Sequence, residues 1–150
     1  MSTLQDCDIF AVILPLARKL EHFCNLFVAR SGIPRSSQAR AFCFLAVEGR
    51  KRDVFQKDLE NAMQIRPSSA TALLRALEEQ GLIERCKNDG DGRFKKITFT
   101  PKAVALQAQV LEVHQQINGS LLAGISEGEL EIFQQICGKI AANAGKTSGE

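Results

Sequence analysis

Hydroxyl and guanidinium side chains cluster within residues 67–80, which read PSSATALLRALEEQ. Ser68 and Ser69 come first, Thr71 follows, and Arg75 lies one helical turn beyond Thr71 if the segment is helical. Hydroxyl groups donate and accept hydrogen bonds, and a guanidinium group carries several N–H donors, so this set suits base edges and phosphate oxygens. These four residues are therefore candidates for contacts to the major groove of DNA.

The same segment has the apolar spacing of an amphipathic helix. Apolar residues recur at i, i+3, i+4 and i+7, namely Ala70, Leu73, Leu74 and Leu77. Pro67 suits the first helical turn, where its missing N–H has no intrahelical partner, and Gly81 is typical of a helix C-terminus. The pattern predicts a recognition helix that packs by its leucines. A capping role for Ser68 or Ser69 is the alternative for one of those two hydroxyls.

A short helix before this segment and a hairpin after it complete a winged helix-turn-helix. Residues 56–63 predict the short helix, and the link to Pro67 is tight enough for a helix-turn-helix. Residues 82–86 and 94–100 predict two strands around the turn-rich sequence NDGDG. Such a hairpin is a wing, from which an arginine can enter the minor groove.

The charged residues at the wing and at the short helix are further candidates for contacts to DNA. Arg93 is the candidate for the minor groove. Asp91 is expected to orient the Arg93 guanidinium, unless it is only a turn residue. Lys57 is expected to contact phosphate. Lys95 and Lys96 alternate across a strand, so at most one of them faces DNA directly, and Lys95 is the candidate.

The remaining segments are predicted to be helical. The first helix contains Pro15, which is expected to kink it or to split off a short piece. Thr100 is expected to cap the helix that follows the wing. Ser126 and Glu129 fit a capping box for the last helix, and the tail from Gly145 is expected to fray. The predicted fold class is mainly α with a small β-wing.

Charge and cysteine content limit the class of protein. The net charge is only +2, but residues 50–75 and 81–102 each contain six basic and three acidic residues, so positive charge concentrates around the recognition helix. A solvated basic face is the alternative.

Five cysteines without a CxxC motif argue against a disulfide framework or a zinc site, and Cys24, Cys43 and Cys137 are expected in the core. No signal peptide and no span of about 20 apolar residues is visible. A cytoplasmic protein with no metal, no cofactor and no membrane partner is expected.

The ordered series of motifs in residues 57–103 resembles the MarR family of bacterial transcription regulators. The residues that carry the resemblance are Leu59, Ile65, Ser68, Thr71, Leu73, Leu77, Glu78, the sequence GLIER at 81–85, DGR at 91–93 and TPK at 100–102. The sequence SEGEL at 126–130 also fits. Ala72 departs from the pattern, because many members have arginine there, and Arg66 or Arg75 is expected to take its place.

The resemblance implies an architecture and a partner. It implies one domain over residues 1–150, with a winged-helix lobe at about 34–100 and dimerisation helices at 8–30 and 101–144. Two recognition helices of a homodimer would enter successive major grooves, so the operator in double-stranded DNA should be an inverted repeat. The implied function is a transcription regulator, most simply a repressor that an effector releases from DNA.

The resemblance also implies candidate effector sites. Arg18 and His22, one helical turn apart, are expected to bind the carboxylate of a small aromatic acid, and the alternative is that Arg18 pairs with Glu21 or His22 on a solvated face. Cys7 is the candidate for an oxidant-sensing thiol, although the chain has no tyrosine to activate it.

Two rival functions have distinct requirements. A winged helix used for protein–protein assembly would not need a basic wing. An enzyme with a cysteine nucleophile would need a cysteine and a histidine in contact, and the i, i+2 spacing of His22 and Cys24 points them apart on a helix. No catalytic residues are therefore expected.

Overall fold

The computed structural model of this chain describes residues 7–31, 36–87 and 93–147, and it divides into two compact units, Met1–Ile117 and Asn118–Glu150. The first unit contains α1 (Ile9–Ser31), α2 (Ser37–Glu48), α3 (Gln56–Met63), α4 (Pro67–Glu79), β1 (Ile83–Lys87), β2 (Lys95–Phe99), a 3₁₀ turn (Pro101–Ala103) and most of α5 (Val104–Leu121). The second unit contains the end of α5 and α6 (Glu127–Thr147). The predicted fold class, mainly α with a small β-wing, is confirmed. No described helix is long and apolar enough to cross a membrane.

One apolar cluster joins α2, α3, α4 and the hairpin. Its largest enclosed side chains include Leu45, Leu59 and Leu74, one from each of the three helices. Burying a leucine contributes about 2 kcal/mol relative to leaving it exposed, so these contacts hold the helix-turn-helix against α2. Phe42 of α2 meets Phe99 of β2 edge to face, with ring centroids 5.0 Å apart, and this contact joins the wing to the same core.

The ends of α4 follow the residues that predicted them. Pro67 occupies the first turn, and Arg66 precedes the helix without a side-chain cap. Ser68 and Ser69 lie inside the first turn, so the alternative that one of them caps α4 is wrong. At the other end Gly81 has φ +71°, its N–H donates to the Glu78 carbonyl at 2.8 Å, and the next N–H, of Leu82, donates to the Leu77 carbonyl at 3.0 Å. These bonds form the Schellman arrangement that a left-handed residue permits.

The hairpin is antiparallel, with Ile83 opposite Phe99 and Arg85 opposite Ile97. Val54 forms an isolated bridge to Ile97, whose N–H donates to the Val54 carbonyl at 2.9 Å. The wing is therefore anchored to the segment that enters α3. The predicted turn at 88–92, including Asp91, lies outside the described residues.

Several predictions of helix ends need correction. Thr100 does not cap a helix with its side chain, because its hydroxyl donates to the Gly81 carbonyl at 2.6 Å and so joins the end of the wing to the end of α4. Pro15 splits off no separate piece, since α1 is continuous across it. The predicted fraying from Gly145 is wrong up to Thr147, where α6 ends.

The α6 capping box is confirmed. Ser126 Oγ donates to Glu129 Oε2 at 2.8 Å, and the backbone N–H of Glu129 returns a bond to Ser126 Oγ at 3.3 Å. The cysteine prediction was wrong in degree: Cys24, Cys43 and Cys137 are half-buried rather than enclosed in the core, because the helix faces that carry them are only partly covered.

Candidate nucleic-acid interface

The solvent side of α4 presents an open polar stripe. Ser68, Ser69, Ala72 and Arg75 are exposed, whereas Ala70, Leu74 and Leu77 on the opposite side are buried. The spacing 68, 72, 75 places these exposed residues on one helical face. Within the described ranges, the hydroxyls of Ser68 and Ser69 and the guanidinium of Arg75 form no hydrogen bond or ion pair. Their donors are therefore available to a ligand.

Thr71 has a different environment from these neighbours. It is half-buried, and its hydroxyl donates to the Pro67 carbonyl at 2.9 Å while accepting a bond from Gln56 Nε2 at 3.0 Å. A hydroxyl has a single hydrogen to donate, so the donor of Thr71 is already used within the protein. Its predicted contact with DNA stays a prediction, for which one acceptor lone pair is left.

Gln56 is the residue that the sequence interpretation missed. Its amide nitrogen lies 3.0 Å from Thr71 Oγ1, 3.1 Å from Glu60 Oε1 and 3.2 Å from the Pro67 carbonyl. One amide group thus joins the start of α3 to the first turn of α4. The i, i+4 spacing of Gln56 and Glu60 was a usable signal for the first contact, but no local pattern predicts the contacts to α4.

Lys57 lies beside a buried carboxylate. Its ammonium is 3.5 Å from Glu60 Oε2, and its side chain is 71% exposed. Because Glu60 accepts a hydrogen bond from Gln56 and forms an ion pair with Lys57, part of the Lys57 charge is compensated within α3. The phosphate contact of Lys57 stays a prediction, and it would compete with the ion pair to Glu60.

The wing separates its two adjacent lysines. Lys96 forms an ion pair with Asp53 at 2.6 Å, whereas Lys95 is exposed and has no ion pair within the described residues. Arg93 is also exposed. A cavity of about 380 Å³ between α3 and the wing is lined by Lys57, Arg93 and Lys95, among others. The structure thus brings three of the residues that are predicted to contact DNA to one cavity beside α3.

An ion pair fixes the wing to α4. Arg85 Nη2 donates to Glu78 Oε2 at 2.6 Å. This hydrogen bond lowers the pKa of Glu78, an effect that burial opposes and that the positive charges of Arg85 and Lys95 reinforce. The same bond raises the pKa of Arg85 against the opposing effect of burial. Both groups stay charged at neutral pH, so their ion pair fixes β1 against α4.

Comparisons with known proteins agree with this geometry. The family model described as MarR family matches residues 31–93. An uncharacterised HTH-type transcriptional regulator of Bacillus subtilis, YwhA, is 31% identical over 85 residues, which are 57% of this chain and 61% of that protein. Residues 31–93 of this chain therefore resemble the MarR family, and the chain spans less than two thirds of the length of YwhA.

Solved structures of transcription regulators are similar to this fold. The transcriptional regulator PA3341 has a TM-score of 0.71 and 27% identity over 93% of this chain and 99% of that one. A MarR-family regulator from Listeria monocytogenes, crystallised with a 26mer DNA, has a TM-score of 0.67 and 20% identity over 94% of this chain and 91% of that one. The second match shows the fold alone.

The predicted effector residues are all on or next to α1. Arg18 and His22 are exposed on that helix, and Cys7 is exposed just before it. Among the described residues Arg18 forms no ion pair with Glu21, so the alternative that they pair receives no support. No cluster of three metal-ligating side chains occurs within the described residues. The effector roles of Arg18, His22 and Cys7 stay predictions.

Proposed function

We propose that this chain is a MarR-family transcription regulator that binds double-stranded DNA in a sequence-specific manner. The observation that carries the proposal is the exposed stripe of α4, where Ser68, Ser69 and Arg75 keep their donors unpaired within the described residues. Base edges in the major groove offer acceptors to such donors. Arg93 and Lys95 lie on the wing next to the same helix-turn-helix, where they would contact the backbone or the minor groove.

The regulator is proposed to act as a homodimer on an inverted-repeat operator. Helix α1 exposes large apolar side chains such as Phe10, which is 68% exposed, and α6 exposes others such as Ile132, which is 58% exposed. Each helix thus has an apolar face that a second copy of the chain would cover. A two-fold dimer would place its recognition helices about 34 Å apart, one turn of B-DNA.

The proposed response is release of DNA by an effector, which makes the regulator a repressor. One proposed trigger is a small aromatic acid whose carboxylate binds between Arg18 and His22. Oxidation of the exposed Cys7 is the alternative trigger for the same fold. Either trigger must bind or modify one conformation of the dimer preferentially to change its affinity for DNA.

Selection from a random duplex pool tests the proposal. We expect an enriched inverted repeat with half-sites about 10 base pairs apart, and an affinity that falls steeply with salt because phosphate contacts release counterions. Failure to bind any duplex even at low salt would contradict the proposal. The variant Arg93→Ala distinguishes the rival role in protein–protein assembly, since any nucleic-acid binding should weaken in a regulator and stay unchanged in an assembly module.

A further inference from the structure

One phenylalanine of the wing differs from the other large apolar side chains of the helix-turn-helix and hairpin. Phe94 is 54% exposed, and it is the only exposed large apolar side chain within the described residues of 36–87 and 93–103. Phe42 and Phe99 instead pack edge to face in the core, and Phe55 is half-buried. Phe94 is thus the large apolar side chain that this part of the chain presents to solvent.

The surroundings of Phe94 are basic. Its neighbours in the chain are Arg93 and Lys95, and both are exposed. Together these three residues line the cavity of about 380 Å³ beside α3, whose lining also includes Lys57. Among the described residues that line this cavity, the one carboxylate belongs to Glu60, which is 9% exposed and forms an ion pair with Lys57. The exposed part of the lining therefore combines one phenyl ring with three cations.

This combination fits DNA better than it fits a protein partner. A protein interface of useful affinity has a contiguous apolar core, whereas Phe94 is a single ring between two cations. Proteins that enter the minor groove of DNA combine cations with single apolar side chains, which act as wedges between base steps. Positive charge on both sides of the ring also complements the phosphates on both sides of a groove.

We propose that Phe94 inserts into the minor groove beside Arg93 and partly unstacks one base step. Pyrimidine–purine steps such as TA and CA unstack most easily, so the preferred ligand is a duplex with such a step under the wing. Phe94 would then select a sequence through its deformability, in addition to the bases that α4 contacts through hydrogen bonds. The inference rests on the proposed function, because it requires the wing to contact DNA.

Selection from a random duplex pool locates the step. The unaltered protein should enrich a pyrimidine–purine step next to each half-site. Phe94→Ala should enrich the same half-sites with no preference at that step, because no ring is left to unstack it. If both proteins enrich the same flanking sequence, Phe94 does not select the step and the inference is wrong.

The fluorescence of 2-aminopurine measures the unstacking directly. The probe replaces an adenine at the step under the wing, and in a second duplex it replaces an adenine within the half-site. Protein binding should raise the fluorescence at the first position and leave the second unchanged. Phe94→Leu keeps an apolar wedge and should retain the rise, whereas Phe94→Ala should lose it. An equal rise with Phe94→Ala would overturn the inference.

The dependence of affinity on salt separates Phe94 from the cation beside it. Phe94→Ala should weaken binding to the selected duplex about tenfold, within the range for the loss of an aromatic contact with a base, at an unchanged salt dependence. Lys95→Gln should instead lower the salt dependence by about one phosphate contact. An equal change of salt dependence in the two variants would show that Phe94→Ala disturbs the whole wing, which would contradict a wedge.

The same measurements separate this inference from the proposed function. A protein that binds its selected duplex without raising the fluorescence of the probe overturns only the role of Phe94. A protein that binds no duplex even at low salt overturns the proposed function, and the role of Phe94 with it.

Discussion

The two helices of the helix-turn-helix use their polar side chains in opposite ways. In α3, Gln56, Lys57 and Asp58 all bond within the protein, to α4, to Glu60 and to Arg52 respectively. In the exposed stripe of α4, Ser68 and Arg75 have no such partner among the described residues. The polar groups of α3 are bonded within the protein, whereas those of the exposed stripe of α4 are open. We therefore expect α3 to position the helix-turn-helix and the exposed stripe of α4 to contact DNA.

The same contrast limits what charge density can show. Residues 50–75 have an excess of basic residues, yet Lys51 and Arg52 contact Glu48, and Lys57 contacts Glu60. Arg66, which precedes α4, and Arg75 on the exposed stripe of α4 are also exposed cations of this segment. Neither contacts a carboxylate within the described residues. A basic residue therefore indicates a partner only after its contacts with carboxylates of the same chain are known.

The largest expected effect separates Arg75 from Lys57. Arg75→Gln should reduce affinity for the selected duplex by about 1–3 kcal/mol, the range for a good contact to a base, with little effect on stability. Lys57→Gln, which removes one charge from α3, should reduce affinity much less and lower the salt dependence by about one phosphate contact at most. Fluorescence anisotropy with labelled duplex at several salt concentrations measures both. If Lys57→Gln costs as much as Arg75→Gln, the contrast between α3 and α4 is wrong.

Gln56→Ala tests the positioning role of α3. The variant leaves Glu60 and Thr71 without a shared donor, so the free energy of unfolding should fall by about 1–2 kcal/mol. DNA affinity should fall as well, because the first turn of α4 loses its contact with α3. Urea denaturation and anisotropy measure the two effects. Gln38→Ala is the control, since its amide makes one exposed contact to Gln80 and its loss should cost only a few tenths of a kcal/mol. An unchanged affinity in Gln56→Ala would show that α4 needs no support from α3.

Sequence reasoning was successful where the signal is local. The periodic leucines, Pro67 and Gly81 predicted α4 to within one residue, because burial, a missing N–H and a left-handed turn each depend on neighbours in the chain. Contacts between elements were not predictable in this way. Gln56 of α3 contacts Thr71 of α4, and Lys96 of β2 contacts Asp53 in the segment before α3. Each contact depends on packing that no spacing in the sequence encodes. The sequence therefore predicted the residues of the candidate site, but it did not show which of their donors the protein itself occupies.

The ion pair between α4 and the wing gives a dependence on pH. Arg85 lowers the pKa of Glu78 in the folded protein, so the stabilisation is present above the ordinary glutamate pKa of about 4.3 and is lost as pH falls through the lower folded value. Glu78→Gln should reduce the free energy of unfolding by about 0.5–1 kcal/mol at pH 7, and the deficit should shrink below about pH 4. Urea denaturation at several pH values measures this. Glu79→Gln, at an exposed neighbour without an ion pair in the described ranges, should show no such dependence.

The smallest expected effect comes from the ends of the two helices. Both α3 and α4 end at a left-handed residue, but α4 uses Gly81 at φ +71° and α3 uses Gln64 at φ +52°. A left-handed residue with a side chain costs about 1–2 kcal/mol, and glycine costs about 0.5–1 kcal/mol in chain entropy. Gln64→Gly should therefore raise the free energy of unfolding by about 0.5 kcal/mol, measured by urea denaturation, while Gly81→Ala should lower it. Gln64 Nε2 also donates to the Asn61 carbonyl at 2.6 Å, so a loss of stability in Gln64→Gly would mean that this bond outweighs the backbone strain. In that case the C-terminal residue of α3 would also use its polar side chain within the protein, as Gln56, Lys57 and Asp58 do. The difference from the exposed stripe of α4 would then include the turn between the two helices.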